Sequence, residues 1–108
     1  MSTSVTELAN IGLKAIVAQQ AIVARKAAAV EYRGRLADWK AAHGILEHLP
    51  TDHLLLHRMC EEVGSSATGM AYGKAKTAEK NAKARLLRAV RKVRLATAAQ
   101  ADAPEVSG

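Results

Sequence analysis

The stretch "HGILEHLPTDHLLLHRMC", residues 43–60, decides the fold of this 108-residue chain. Pro50 is one of only two prolines, and proline disfavours helical geometry at the residue before it. A helix that arrives from the N-terminal side must therefore end before Pro50. Thr51 or Asp52 can then cap a new helix, because a short side-chain oxygen accepts hydrogen bonds from the first free N–H groups. The stretch predicts two helices joined at Pro50.

The sequence on either side of this break is also typical of helix. It holds 23 alanines, the strongest helix former, and few glycines. Ser4 or Thr3 can cap the first helix, and Glu7, three residues after Ser4, has the spacing of a capping box. Gly64 is placed to end the second helix, and "GSSATG" (64–69) predicts a loop. The predicted boundaries are helices over about 5–48, 52–63 and 70–100, one helical domain over 1–101, and a disordered tail over 102–108.

The first helix carries two apolar stripes on different faces. The N-terminal stripe comprises Val5, Ala9, Gly12, Ile16, Val23 and Val30. The C-terminal stripe has heptad spacing and comprises Tyr32, Leu36, Trp39, His43 and Leu46. We predict that one stripe packs within the chain and the other on a second subunit, with Tyr32, Leu36 and Trp39 as the oligomer seam. The alternative is a bend in the helix at Gly34.

The third helix carries a heptad seam of mostly small residues. Its members are Ala75, Ala78, Ala82, Leu86, Ala89, Val93 and Ala96. Small residues let two helices approach closely, so we expect this seam to pack antiparallel on the first helix. The predicted fold is all-α, a long helical hairpin or three-helix bundle with coiled-coil-like, Ala-rich packing. Because alanine buries little apolar area, we also predict a homodimer.

A basic segment dominates the charge of the chain. Residues 74–94 carry nine Lys and Arg against the single acid Glu79, a local charge of +8 where the whole chain has +6. A solvated helix face would be expected to mix signs, since like charges one turn apart cost a few tenths of a kcal/mol each. The alternative is a plain basic surface with no partner. We favour an anionic partner for this segment.

Two classes of partner suit the basic segment. Positioned Lys and Arg are sufficient to bind phosphates, whereas only Asn81 suggests base readout, and the aromatic residues that stack on single strands lie outside the segment. We therefore predict a small, non-enzymatic protein that contacts double-stranded DNA without strong sequence specificity. The alternative is a helical adaptor or inhibitor that docks on an acidic surface of a larger protein machine. The predicted contact residues are Lys80, Lys83, Arg85, Arg88, Arg91, Lys92 and Arg94.

The histidines within 43–60 raise the question of a metal site. His53 and His57 have the i,i+4 spacing by which a helix presents two imidazoles to one metal, and Cys60 borders the same face. However, the glutamate of a hydrolytic zinc motif is missing, and His57 can pair with Glu61 instead. We predict boundary histidines and no cofactor, with a zinc site at His53, His57 and Cys60, or a pH-sensitive contact, as alternatives.

The location of the protein is indicated by its cysteine and by its apolar content. A single cysteine cannot form an internal disulfide, which fits a reducing compartment. The apolar segment 5–30 is interrupted by charged and amide residues, so it lacks the ~20 continuous apolar residues of a membrane span. It also lacks the pattern of a signal peptide. We expect a cytoplasmic protein that does not bind membranes.

Overall fold

A computed structural model describes residues 4–102 and shows three helices, α1 (Val5–Ala42), α2 (His53–Gly64) and α3 (Ala67–Asp102). No strand occurs in this part of the chain, so the predicted all-α fold is confirmed. α1 and α3 form a long antiparallel hairpin, and α2 packs at its closed end. Asp102, expected in a disordered tail, is the last residue of α3, and the rest of that tail lies outside the described residues.

Ser4, one of the two predicted caps, is the N-cap of α1. Ser4 has extended backbone geometry and its Oγ accepts a hydrogen bond from the Glu7 backbone N–H at 3.0 Å. From this cap α1 continues for 38 residues, about 57 Å at the rise of an α-helix. Gly34, where the alternative prediction placed a bend, is helical like its neighbours. The two apolar stripes therefore belong to one uninterrupted helix.

α1 ends at Ala42, six residues before the predicted end at His48. The cause is Gly44, which takes up the left-handed geometry (φ 66°) that ends helices. The Gly44 N–H donates to the Ala41 carbonyl at 3.2 Å, and the Ile45 N–H donates to the Lys40 carbonyl at 2.9 Å. This pair of bonds is a Schellman motif, and Ile45 adds the apolar contact that usually accompanies it.

The Pro50 break has the predicted consequence for α2. Pro50 itself is buried in the non-helical connection, and α2 begins three residues later. The N-cap is Asp52, one of the two residues predicted for that position. Its Oδ1 accepts from the backbone N–H of Leu54 at 2.8 Å and of Leu55 at 3.4 Å.

The prediction for the α2–α3 junction was wrong. Gly64 is the last helical residue of α2, not a left-handed stop, and α3 already begins at Ala67. Two serines replace the expected six-residue loop: the Ser65 hydroxyl donates to the Glu61 carbonyl at 2.6 Å, and the Ser66 hydroxyl accepts from the Gly69 N–H at 3.1 Å. These hydroxyls satisfy the free backbone groups of both helix ends, so the chain needs no longer connection.

The core lies at the closed end of the hairpin. Trp39 of α1 and Met59 and Val63 of α2 are buried together. The partly buried residues around them are Tyr32, Leu36, Ile45, Leu55 and Leu56. The predicted oligomer seam of Tyr32, Leu36 and Trp39 thus packs against this chain's own core, and its burial needs no second subunit. Leu46, predicted on the same seam, is 98% exposed because α1 has ended before it.

The α1–α3 interface uses a single face of each helix. On α1 this face continues the stripe of Tyr32, Leu36 and Trp39 towards the N-terminus through Ile11, Lys14, Ala18, Ile22, Arg25 and Ala29. The N-terminal apolar stripe that begins at Val5 lies on the opposite side and is exposed, so it does not form the hairpin contact. On α3 the inner face comprises Tyr72, Ala75, Glu79, Ala82, Leu86, Ala89 and Val93. Ala78 and Ala96, predicted on this seam, are exposed. Glu79, the residue after Ala78, takes the seam position instead.

Candidate anion-binding face of α3

The nine cations of 74–94 all lie on the exposed side of α3. At 100° per residue they fall into two rows along the helix, one on each flank of the exposed side. The first row comprises Lys76, Lys80, Lys83, Arg91 and Arg94. The second row comprises Lys74, Arg85, Arg88 and Lys92. All seven predicted contact residues are therefore exposed, and the structure divides them between the two rows.

The only acid of 74–94 is withdrawn from this surface. Glu79 is buried in the α1–α3 seam, where its Oε2 accepts from Arg25 Nε at 2.8 Å. Lys83 approaches the other oxygen at 3.0 Å, the i,i+4 pair that the sequence suggested. The hydrogen bond from Arg25, followed by that from Lys83, lowers the pKa of Glu79 below its ordinary value. The carboxylate is thus ionised, and its charge is balanced by Arg25 and Lys83. All the charged groups on the solvent-facing surface of this segment are cations.

Most of these cations lack a carboxylate neighbour. Of the nine, only Lys83 has a carboxylate within 4.0 Å among the residues that the structure describes. Lys76 is held differently, with its Nζ 4.6 Å from the centre of the Tyr72 ring. Arg85, Arg88 and Lys92 lie within one or two turns of each other, where like charges repel. The face therefore has positive charge that this part of the chain does not balance.

The second row gains further groups from α1. Lys14 and Asn10 of α1 line a shallow cleft of about 310 Å³ together with Arg85, Arg88 and Lys92. Four cations and one amide thus converge on a groove between the two helices. Sequence reasoning missed Lys14 and Asn10, since their place in the cleft depends on how α1 and α3 align. Lys14 shares a helix face with Tyr32, Leu36 and Trp39, and this spacing was the one feature of the sequence that could have placed it near α3.

The histidine segment forms no comparable site. His53, His57 and Cys60 are exposed, and the described residues contain no group of three His, Cys, Asp or Glu placed to hold a metal. His57 Nε2 lies 3.3 Å from Glu61 Oε1, the predicted i,i+4 pair. His43 stacks on the Trp39 indole with ring centres 3.8 Å apart, and its Nδ1 donates to the Trp39 carbonyl.

Comparison with other proteins adds no functional information. No protein-family model matches the chain, and neither a curated protein nor a solved structure matches it significantly. Across the described residues, no helix combines the length and the apolar character that a membrane crossing requires.

Proposed function

We propose that this chain is a non-enzymatic, cytoplasmic, homodimeric protein that contacts nucleic-acid phosphates through α3, and that its target is double-stranded DNA without strong sequence specificity. The observation that carries this proposal is the uncompensated charge of α3. Eight of its nine exposed cations have no carboxylate within 4.0 Å among the described residues, and Glu79 is turned inward. Phosphates would relieve the repulsion between these cations, with release of counterions.

The two-row arrangement suits a duplex better than a flat anionic surface. The cations from Lys74 to Arg94 span about 30 Å along α3, close to one turn of B-DNA. An α-helix fits the major groove, which is about 12 Å wide and has a phosphate backbone on each side. One row of cations would then face each backbone, and the cleft of Lys14, Arg85, Arg88 and Lys92 would hold one phosphate group.

The surroundings of α3 argue against the other nucleic-acid classes. The aromatic residues that could stack on unpaired bases are engaged inside the fold: Trp39 is buried, and Tyr32 stacks on Tyr72 with ring centres 5.0 Å apart. Base-specific readout usually requires amide or guanidinium groups held at base edges. Asn81 is the only exposed amide of 74–94, and the arginines of the segment lie in the two flanking rows, which would face the phosphate backbones. Phosphate contact without base readout remains the simplest use of this surface.

The proposal is tested by the salt dependence of duplex binding. Fluorescence anisotropy with a labelled 30-base-pair random-sequence duplex is measured from 50 to 300 mM salt. We expect binding at low salt that weakens steeply, with a log–log slope of roughly −4 to −7 for five to eight phosphate contacts. Sequence-scrambled duplexes should bind equally well.

A matched pair of triple variants locates the contact. Arg85→Gln, Arg88→Gln and Lys92→Gln together should weaken binding about tenfold or more at 50 mM salt and reduce the slope by about 2 to 3. Lys26→Gln, Arg33→Gln and Arg35→Gln remove the same charge from exposed positions of α1 and should have a much smaller effect. No duplex binding at 50 mM salt, or equal loss in both triples, would overturn the proposal. Binding to poly-L-glutamate alone would instead favour the acidic-protein alternative.

A further inference from the structure

The outward face of α1 is apolar along most of its length. Val5, Ile16, Val23 and Val30 are 56% to 83% exposed, although each is a large aliphatic residue. The small or amide residues between them complete a heptad-spaced stripe that runs to Gly34. The stripe comprises Val5, Ala9, Gly12, Ile16, Gln19, Gln20, Val23, Ala27, Val30 and Gly34. It extends the stripe that the sequence assigned to a packing contact, and no residue between 4 and 102 covers it.

The charges of α1 avoid this stripe. Lys14 and Arg25 face α3, while Lys26 and Glu31 lie on the flanks, and no stripe position is charged. A surface helix normally places its apolar residues inward and its charges outward. The N-terminal three-quarters of α1 departs from this pattern, because Lys14 and Arg25 lie among the apolar residues of the hairpin seam and a second row of large aliphatic residues faces solvent. A face of this kind is typical of a protein–protein contact.

The hairpin also exposes more surface than its mass requires. Its accessible area is 8073 Å², whereas a compact monomer of 11.5 kDa exposes roughly 5,800 Å². Its radius of gyration is 22.5 Å, against about 13 Å for a compact domain of this length. The excess of about 2,000 Å² is larger than the ~800 Å² that one partner contributes to a stable interface. The chain thus has sufficient area for a dimer contact in addition to its binding face.

We infer that a second copy of this chain packs on the outer stripe of α1, with the two α1 helices antiparallel and back to back. Charge favours a second copy at this face. Each chain carries +6, and the cations of α3 repel those of another chain. The outer stripe of α1 is uncharged and faces away from α3, so pairing there keeps the two basic faces on opposite sides of the dimer. An anionic partner would find no cation on the stripe.

The stripe is compatible with two-fold symmetry. Its spacing reads the same in both directions from the midpoint between Gln19 and Gln20. In an antiparallel pair centred there, Ile16 lies opposite Val23 of the partner subunit, and Gly12 lies opposite Ala27 of the partner subunit. Large residues then meet near the centre, small residues allow close approach beside them, and the central glutamines can hydrogen-bond across the axis. A contact in which each patch meets its own copy is the commonest form of dimer.

This dimer differs from the one that the sequence suggested. It specifies the surface of the homodimer in the proposed function and rests on that part of it, whereas the contact with DNA is tested separately. The predicted seam of Tyr32, Leu36 and Trp39 is occupied within the chain by α2 and α3. The outer stripe of α1 replaces it as the surface for self-association. Because α3 lies on the other side of α1, the cations of α3 remain accessible in the dimer.

The test is the mass of the full chain in solution, measured by sedimentation equilibrium from 5 to 200 μM. The wild-type protein should have about twice the chain mass of 11.5 kDa. Ile16→Glu with Val23→Glu should raise the dimer dissociation constant at least tenfold while circular dichroism shows unchanged helix content. The matched control, Leu87→Glu with Leu95→Glu on exposed positions of α3, should leave the dimer intact. A monomeric wild type, or a dimer unaffected by the α1 changes, would overturn the inference.

The antiparallel arrangement is tested by disulfide trapping in a Cys60→Ser background. A mixture of Gly12→Cys and Ala27→Cys chains should form a covalent dimer of one chain of each kind under mild oxidation. Each variant alone should crosslink several-fold less. Efficient crosslinking of the Gly12→Cys variant with itself would show parallel helices and overturn the assignment.

Discussion

Arg25 and Glu79 form the one ion pair that joins α1 to α3 among the described residues, with Arg25 Nε 2.8 Å from Glu79 Oε2. The second guanidinium contact, from Nη2 to Oε1, is 3.5 Å long. The two residues are 54 positions apart and lie in a seam whose most frequent residue is alanine. Their pairing therefore connects the two long helices, withdraws the acid of the basic segment from solvent and neutralises it.

The ion pair predicts a specific pH dependence of stability. The pKa of Glu79 is lowered from its ordinary value of 4.5, chiefly by the hydrogen bond from Arg25. A lowered carboxylate pKa stabilises the folded state above pH 4.5, and the contribution is lost as pH falls through the folded pKa. Glu79→Gln should therefore lower the melting temperature at pH 7, and the difference from wild type should shrink below pH 4.5. Melting followed by circular dichroism between pH 3 and 7 measures this.

The control for this prediction is Glu31→Gln, an exposed carboxylate on α1. It should change the melting temperature little at any pH in the range. If Glu79→Gln and Glu31→Gln show the same small effect at pH 7, then the Arg25–Glu79 pair does not stabilise the hairpin.

The core at the closed end predicts a contrast between two residues of α2. Met59 is 4% exposed against Trp39, whereas Leu54 of the same helix is 76% exposed. Met59→Ala should lower the free energy of unfolding by about 2–5 kcal/mol, because it leaves a cavity in the apolar cluster that Met59 forms with Trp39 and Val63. Leu54→Ala should stay within about 0.5 kcal/mol of wild type. Urea denaturation measures the free energy of unfolding of both variants. An equal loss in the two would contradict the described packing of α2.

Two glycines of α3 should respond to alanine with opposite signs. A Cβ at Gly69 would lie 2.6 Å from the Gly64 carbonyl oxygen and would also strike that of Val63, whereas a Cβ at Gly73 would meet nothing within 4 Å. Gly69→Ala should therefore destabilise the protein by about 1–3 kcal/mol through displacement of backbone. Gly73→Ala should stabilise it by about 0.5–1 kcal/mol through helix propensity. Thermal melts of the two variants give both signs, and a stabilised Gly69→Ala would refute the close approach of α2 and α3.

The end of α1 makes a prediction about Gly44. Its φ of 66° is strained for residues with a Cβ, least so for asparagine. Gly44→Ala should cost about 1–2 kcal/mol, and Gly44→Asn should cost clearly less. Denaturation curves that rank the two variants the other way would show that the Schellman motif does not fix this end of α1.

Local patterns predicted the class of the fold and most of its caps. Helix periodicity gave three helices, Ser4 and Asp52 were correctly placed as caps, and the spacing of small residues indicated the α1–α3 contact. The predicted end of α1 was wrong because the seam of Tyr32, Leu36 and Trp39 continued in pattern to Leu46. That pattern concealed Gly44, whose geometry ends the helix first.

Long-range pairing is what the local patterns could not supply. The two stripes of α1 are similarly apolar, so periodicity alone did not indicate which one faces α3. Glu79 was passed over in favour of Ala78, because its partner Arg25 lies on another helix. For the same reason the basic face was predicted without Lys14, which joins the cleft only once α1 and α3 are aligned.

The seam of α3 repeats alanine every seven residues, at Ala75, Ala82 and Ala89, so moving α3 along α1 by seven residues puts alanine back in the same places. Such a slip would leave Glu79 beside Ala18 or Tyr32 rather than Arg25. The carboxylate would keep Lys83 of its own helix but lose its hydrogen bond from α1, which is unfavourable for a buried charge. The Arg25–Glu79 pair, together with the stack of Tyr32 on Tyr72, thus favours one register for the two long helices. The same register places Lys14 beside Arg85, Arg88 and Lys92. The buried ion pair therefore helps to set which side chains line the exposed cleft.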